Sequence, residues 1–97
     1  MRRSVVERSL RDVHLRLVRA RQELAVLDEQ LLVFTDTADD ARIRSLVSET
    51  PLAGQEYTSA RRHADAALGA RDGLVAAIGD LERRQDELLG QLVPEPR

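Results

Sequence analysis

The sequence predicts an all-α protein, a long antiparallel helical hairpin of the coiled-coil type that dimerises into a four-helix bundle. Three observations predict this fold. Apolar residues form one seam in each half of the chain, with alternating steps of three and four residues. A proline-containing stretch, SETPLAG, separates the two halves. The first half also carries a second apolar stripe. A chain of 97 residues forms one domain at most.

The first predicted helix spans about residues 3–48. Its seam consists of Val6, Leu10, Val13, Leu17, Ala20, Leu24, Leu27, Leu31, Phe34, Ala38 and Ala41. The propensities of Thr35, Asp36 and Thr37 favour a break, and a break there followed by a short third helix is the alternative. Because Ala38 and Ala41 keep the seam in register, we favour one unbroken helix.

The turn is predicted at about residues 49–54. Pro51 disfavours helical geometry at Thr50 and cannot lie inside a helix, although it can open one with Ser48 or Thr50 as the N-cap. Helix 2 is expected over about residues 53–92, so that residues 1–93 form one hairpin and 94–97 a frayed tail. Its seam consists of Tyr57, Ala60, Ala64, Ala67, Arg71, Leu74, Ile78, Leu81, Gln85, Leu88 and Leu92.

A turn centred near Leu52 sets the predicted pairing between the two helices. It places large residues opposite large ones in the middle of the hairpin and small residues opposite small ones near its tip. The predicted pairs are Leu31 with Leu74, Leu24 with Leu81, Leu17 with Leu88, Ala38 with Ala67, Ala41 with Ala64, and Arg71 with Phe34. A slip of one heptad is the alternative. At 1.5 Å per residue the hairpin is expected to be about 60–65 Å long.

The second apolar stripe of helix 1 lies on the side opposite its seam. It consists of Leu15, Val18, Val26, Leu32, Val33, Ile43, Leu46 and Val47. A helix that is apolar on two opposite faces is normally buried on both, and helix 2 covers only one. These eight residues are therefore the predicted self-association site. A second copy with twofold symmetry is the simplest partner. An imperfectly amphipathic monomer and a different permanent partner are the alternatives. Helix 2 adds an apolar flank at Leu68, Val75 and Leu89.

Charge is distributed unevenly along the chain. The net charge is −2 overall, but it is +5 over residues 1–21, −6 over residues 22–60 and −1 over the rest. In a hairpin the basic end lies beside the C-terminal acids, so pairing within the chain and solvation are the simplest interpretation. The sharper alternative is a polyanion contact through Arg8, Arg11, Arg16 and Arg19, whose affinity would fall steeply with salt. No aromatic residues are interleaved to stack on bases.

A short acidic motif lies in the same part of the chain. Asp36, Asp39 and Ala41 spell D-x-x-D-x-A, which resembles the acidic tip motif of the coiled-coil factors that enter the RNA polymerase secondary channel. In those factors the acids lie at the hairpin tip and a zinc-bearing domain accompanies the hairpin. Here the predicted tip lies a dozen residues later and the chain has no cysteine. The resemblance implies contact with transcription machinery.

The residue types that carry catalysis or bind metal are sparse. The two histidines, His14 and His63, are predicted to lie far apart along the hairpin, and no Cys or paired-His ligand spacing occurs. We therefore predict no enzyme, no cofactor and no metal site. The N-terminus lacks the apolar core of a signal peptide, so a cytoplasmic location away from membranes is expected. All fifteen basic residues are Arg, a bias typical of GC-rich coding and of a bacterial source.

The function predicted from these features is that of a non-enzymatic coiled-coil interaction protein. It is expected to self-associate, with a dimer favoured, and to act as an adaptor or regulator by binding another protein. The alternative is a regulator associated with transcription or nucleic acid. Such a regulator would contact RNA polymerase, a sigma factor or DNA through the Arg-rich end or the acidic stretch.

Overall fold

A computed structural model describes residues 2–92 and contains two helices, α1 (Arg2–Ser48) and α2 (Pro51–Leu92). The helices pack against each other as an antiparallel hairpin with extents of 73 × 21 × 15 Å. The prediction of an all-α helical hairpin is therefore confirmed. The predicted tail, residues 94–97, lies outside the described residues. In the range that the structure describes, neither helix offers an apolar stretch sufficient to cross a bilayer.

Helix α1 runs without interruption through Thr35, Asp36 and Thr37, so the alternative break is absent. The cause lies in the two seam residues that follow. Ala38 and Ala41 are only 8% and 2% exposed, which shows that they pack against α2. Burial of these positions in the hairpin outweighs the weak helix propensity of the three preceding residues.

The link between the helices is shorter than the predicted turn and comprises only Glu49 and Thr50. Glu49 adopts a left-handed conformation (φ 51°) and its N–H donates to the carbonyl of Ser45 at 3.2 Å, closing the C-terminus of α1. The Thr50 hydroxyl accepts from the N–H of Ala53 at 3.2 Å and caps α2. Pro51 occupies the first helical position, where its missing N–H costs nothing.

Helix α2 begins earlier than predicted, and its residues are shifted by one heptad along α1 relative to the predicted pairing. Two contacts fix the observed register: Arg71 Nε donates to Asp28 Oδ1 at 2.5 Å, and the rings of Phe34 and His63 lie 6.1 Å apart. When the same pairing is continued along the hairpin, Leu17 lies at the level of Leu81. The predicted pairs were therefore wrong and the one-heptad alternative is correct. Arg71 contacts Asp28 instead of covering the ring of Phe34.

The core of the hairpin is thin and follows the two seams. Its central cluster consists of Val6, Val13, Leu17, Ala20, Ile78 and Leu88, and the partly buried Leu10, Leu24, Leu74, Leu81 and Leu92 pack against it. Only Leu17 among the large side chains of the described range is fully buried. Towards the tip the buried residues are all alanines, namely Ala38, Ala41, Ala53 and Ala67. Two helices alone thus bury one narrow seam each.

Replacing Glu49 by glycine is expected to stabilise the protein. Glu49 holds a left-handed conformation in which its Cβ crowds the following carbonyl, a strain that glycine lacks. We expect the free energy of unfolding in urea, at fixed protein concentration, to rise by about 0.5–1 kcal/mol after subtracting the extra entropy of glycine in the unfolded chain. The control Glu49→Ala retains the Cβ and should give no such gain. A loss of stability in Glu49→Gly would contradict this account of the turn.

Candidate functional site: the outer face of α1

The side of α1 that faces away from α2 carries large apolar side chains at intervals along the helix. We call it the outer face and define it by the eight residues of the predicted self-association site, Leu15, Val18, Val26, Leu32, Val33, Ile43, Leu46 and Val47. All eight side chains are exposed, from 38% for Val18 to 80% for Val47. The structure therefore brings these residues onto one surface that nothing within the described residues covers.

The outer face follows directly from the geometry of α1. Seam residues recur every three or four positions and point towards α2, so the stripe that is offset from them points away. The exposed Val5 extends the face towards the N-terminus, an addition that sequence reasoning missed although its spacing from Val26, Val33 and Val47 was visible. On α2 the flank of Leu68, Val75 and Leu89 is also exposed, at 42–47%.

Two groups of unpaired charges, of opposite sign, lie along the outer face. Towards the N-terminus lie Arg8, Arg11 and Arg19, which we call the basic segment. Beyond the middle of the helix lie Glu29, Asp36, Asp39 and Asp40, which we call the acidic segment. All seven residues are exposed, and none forms an ion pair with another residue of the described range. The charges of these two segments are therefore not neutralised within the described part of the hairpin.

Pairing of the basic end with the C-terminal acids of α2 is not formed within residues 2–92. The single ion pair that links the helices there joins Asp28 to Arg71 near the middle of the hairpin. The other ion pairs connect neighbours within one helix, such as Arg16 with Asp12 at 3.1 Å. Pairing between the two ends is therefore absent among the described side chains, whereas the exposure of Arg8, Arg11 and Arg19 agrees with the solvation that the same interpretation includes.

The four predicted polyanion contacts do not form one compact patch. At about 100° per residue, Arg8, Arg11, Arg16 and Arg19 spread over roughly 140° of the helix circumference. Arg16 is engaged by Asp12, whereas the other three lie on the outer side of α1. The arrangement gives the N-terminal third of the hairpin a broad basic surface without a defined anion-binding pocket.

The acidic motif lies inside α1 rather than at the tip of the hairpin. Asp36 and Asp39 precede the last residue of α1 by twelve and nine positions, which corresponds to about 18 and 14 Å along the helix. Both side chains are exposed, while Ala41 is buried in the seam. The position therefore differs from that of the acids in the polymerase-binding factors that the motif resembles.

A shallow groove opens where small seam residues thin the core near the tip. It lies between Phe34 and Ala41 of α1 and Ser59 and His63 of α2, with Arg44 and Glu56 at its margin. His63 packs its ring against Phe34 at 50°. His14, in contrast, lies more than one-third of the hairpin away. Within residues 2–92 no three His, Asp or Glu side chains come together as metal ligands.

No protein-family model, no curated protein and no solved structure matches this chain.

Proposed function

We propose that this protein is a non-enzymatic interaction protein, a helical hairpin that self-associates through the outer face of α1 and serves as an adaptor or regulator of another protein. The observation that carries the proposal is the exposure of eight large apolar side chains along one face of α1. Surface patches of this kind mark interaction sites in folded proteins.

The energetics support a permanent partner for this face. Full burial of one Val, Leu or Ile side chain contributes about 1.5–3 kcal/mol. After a heavy discount for partial burial and for a compact unfolded chain, eight such residues still contribute on the order of 10 kcal/mol. This amount is comparable to the whole stability of a small domain. The thin core of the single hairpin makes such a contribution important, because only ten apolar side chains of the described residues are buried in it.

When a second copy covers the outer face, other surfaces of the hairpin stay free to bind a different protein. The far side of α2 and the tip of the hairpin remain accessible when α1 is covered. Leu52 at the tip is 64% exposed, and the groove beside Phe34 and His63 opens nearby. A bundle of this kind therefore presents polar α2 surfaces and tips to its target while its apolar face holds the assembly together.

Thermal unfolding at different protein concentrations tests self-association. If folding and dimerisation are coupled, mass action stabilises the folded state as concentration rises. We expect the midpoint of unfolding, followed by circular dichroism at 222 nm, to rise by about 5–10 °C over a roughly hundredfold range of concentration. A midpoint that does not depend on concentration across that range would contradict self-association coupled to folding.

The alternative function, contact with nucleic acid or transcription machinery, rests on the basic segment and the acidic motif. The spread of the arginines around α1 and the distance of Asp36 and Asp39 from the tip both count against it. The apolar face is the more extensive feature and needs a partner of apolar character, which a polyanion does not offer. We therefore propose protein binding as the function.

A further inference from the structure

The two charged segments divide the outer face of α1 into halves of opposite sign. The basic segment lies between residues 8 and 19, and the acidic segment lies between residues 29 and 40. Asp12 falls within the basic stretch, but Arg16 pairs with it. Between the two segments the face is apolar at Val26 and close to neutral. A surface with this pattern is complementary to itself when it is reversed end to end.

The centre of this pattern coincides with the centre of the helix. The two segments are equally distant from residue 24, and the midpoint of α1 (Arg2–Ser48) lies one residue further along the helix. A twofold axis there brings Arg11 to the level of the partner's Asp39 and Val18 to the level of the partner's Leu32. One operation therefore brings opposite charges together and aligns the apolar residues nearest the axis, and it overlaps the full length of both helices.

The area available on α1 is large enough for a stable dimer. A helix of 47 residues is about 70 Å long, and a strip about 10 Å wide along it covers roughly 700 Å² per copy. Two such strips give roughly 1,400 Å², which falls within the range of specific protein–protein interfaces. The flank of Leu68, Val75 and Leu89 on α2 adds apolar surface at the margin.

We propose that two copies of the chain pair through their outer faces with the α1 helices antiparallel, so that the basic segment of each copy faces the acidic segment of the other. This inference rests on the proposed self-association and specifies its orientation. The twofold axis passes near Val26, and the two hairpin tips point to opposite ends of the assembly. A target that binds the tip then meets two sites separated by most of the length of the bundle.

Electrostatics select this orientation over the parallel one. A parallel pair about the same face would place Arg11 against the partner's Arg11 and Asp39 against the partner's Asp39, and like charges in register are unfavourable. The antiparallel pair replaces these repulsions by attractions at both ends. A single exposed ion pair contributes little to the stability of the dimer, but the twofold axis makes each pair occur twice. The preference should weaken as salt is added.

Charge reversal separates the two orientations. The acid-reversed variant carries Asp39→Arg and Asp40→Arg, and the base-reversed variant carries Arg8→Glu and Arg11→Glu. In an antiparallel dimer each variant places like charges opposite each other, so the dissociation constant should rise about 10–100-fold at low salt. The chain that combines all four substitutions restores opposite charges and should return to within about threefold of wild type. Sedimentation equilibrium measures these constants.

A matched control reverses the charge of two carboxylates on α2, away from the outer face. Asp80→Arg with Asp86→Arg alters the net charge by the same amount as the acid-reversed variant, at exposed positions of α2. It breaks the exposed ion pair of Asp80 with Arg83, which contributes little, and should leave the dissociation constant within about threefold of wild type. A wild-type dimer that neither reversal weakens would overturn the antiparallel arrangement and leave the proposed self-association standing. A monomeric wild type would overturn both. Circular dichroism at 222 nm verifies that every variant is helical.

Cross-linking gives a second measure of orientation that does not depend on affinity. The chain has no cysteine, so single-cysteine variants react at one site only. With a short bifunctional thiol reagent, a mixture of Arg11→Cys and Asp39→Cys chains should yield mainly the mixed cross-linked dimer. A Val26→Cys chain should cross-link to its own copy. Efficient cross-linking of Arg11→Cys to itself, without the mixed product, would establish the parallel arrangement and overturn the proposal.

Discussion

Changing Val26 and Val33 together to glutamate is expected to abolish self-association and to leave either a monomer or an unfolded chain. Both side chains lie at the centre of the outer face, at 54% and 62% exposure in the single hairpin. In the dimer each substitution places a carboxylate where an apolar side chain is buried, and near the twofold axis the two carboxylates at position 26 face each other, so the variant loses several kcal/mol of dimer stability. Sedimentation velocity reports the mass, and circular dichroism reports whether the chain remains helical.

The control for this experiment places the same two charges on the other helix. Ala66→Glu and Ala76→Glu lie on exposed positions of α2, away from the outer face. This variant should keep the mass and helicity of the wild type, because exposed substitutions of this kind change stability little. A Val26→Glu, Val33→Glu chain that stays folded and dimeric would remove the outer face as the self-association site.

Truncating Leu17 to alanine is expected to lower the free energy of unfolding by about 2–5 kcal/mol. Leu17 is the one large side chain among residues 2–92 that is fully buried, and it belongs to the central cluster. The truncation loses the free energy gained when the leucine side chain is buried away from water. It also leaves a cavity, and the core has few other large residues to fill it. Leu52→Ala at the exposed tip is the control and should change stability by less than about 0.5 kcal/mol. Urea unfolding at one fixed concentration measures both.

A double-mutant cycle extends this prediction to the register of the hairpin. In the observed register Leu17 lies at the level of Leu81, whereas Leu88 lies about one heptad away. Alanine substitutions at Leu17 and Leu81 should therefore be coupled by about 0.5–3 kcal/mol, and those at Leu17 and Leu88 should be close to additive. The opposite result, with coupling to Leu88 alone, would support the register with a turn near Leu52 and contradict the structure.

The helices themselves could be predicted because periodicity reports which face of a helix is buried. The uninterrupted steps of three and four residues indicated one long α1, and Ala38 and Ala41 indicated that it continues past Thr35–Thr37. Local propensity pointed the other way at those three residues. It failed because burial in the seam decides the outcome in a long packed helix.

The register could not be predicted from the seams because an a/d pattern matches itself after every heptad. Only the turn removes that ambiguity, and its geometry depends on Glu49 adopting a left-handed conformation that favours glycine or asparagine. The partner of Arg71 was missed for the same reason. With α2 beginning at Pro51, the seam arginine lies beside Asp28, and its partial burial is compensated by that carboxylate.

The outer face was visible in the sequence as eight apolar residues opposite the seam, and the structure places all eight on one exposed surface. The sequence did not show which of the charged side chains around this face form ion pairs. Long side chains choose among several nearby partners, so the sequence suggested neutralisation of the basic end by the acids of α2. The structure instead leaves Arg8, Arg11 and Arg19 without a carboxylate among the described residues, which makes them available to a second copy.

The mass of the protein in solution tests the central claim most directly, because the outer face either has a second copy on it or does not. We would measure it by multi-angle light scattering on a sizing column over a wide range of loading concentrations. Self-association through the outer face predicts twice the chain mass of 10.9 kDa, held on dilution. A mass of 10.9 kDa at every concentration would contradict it.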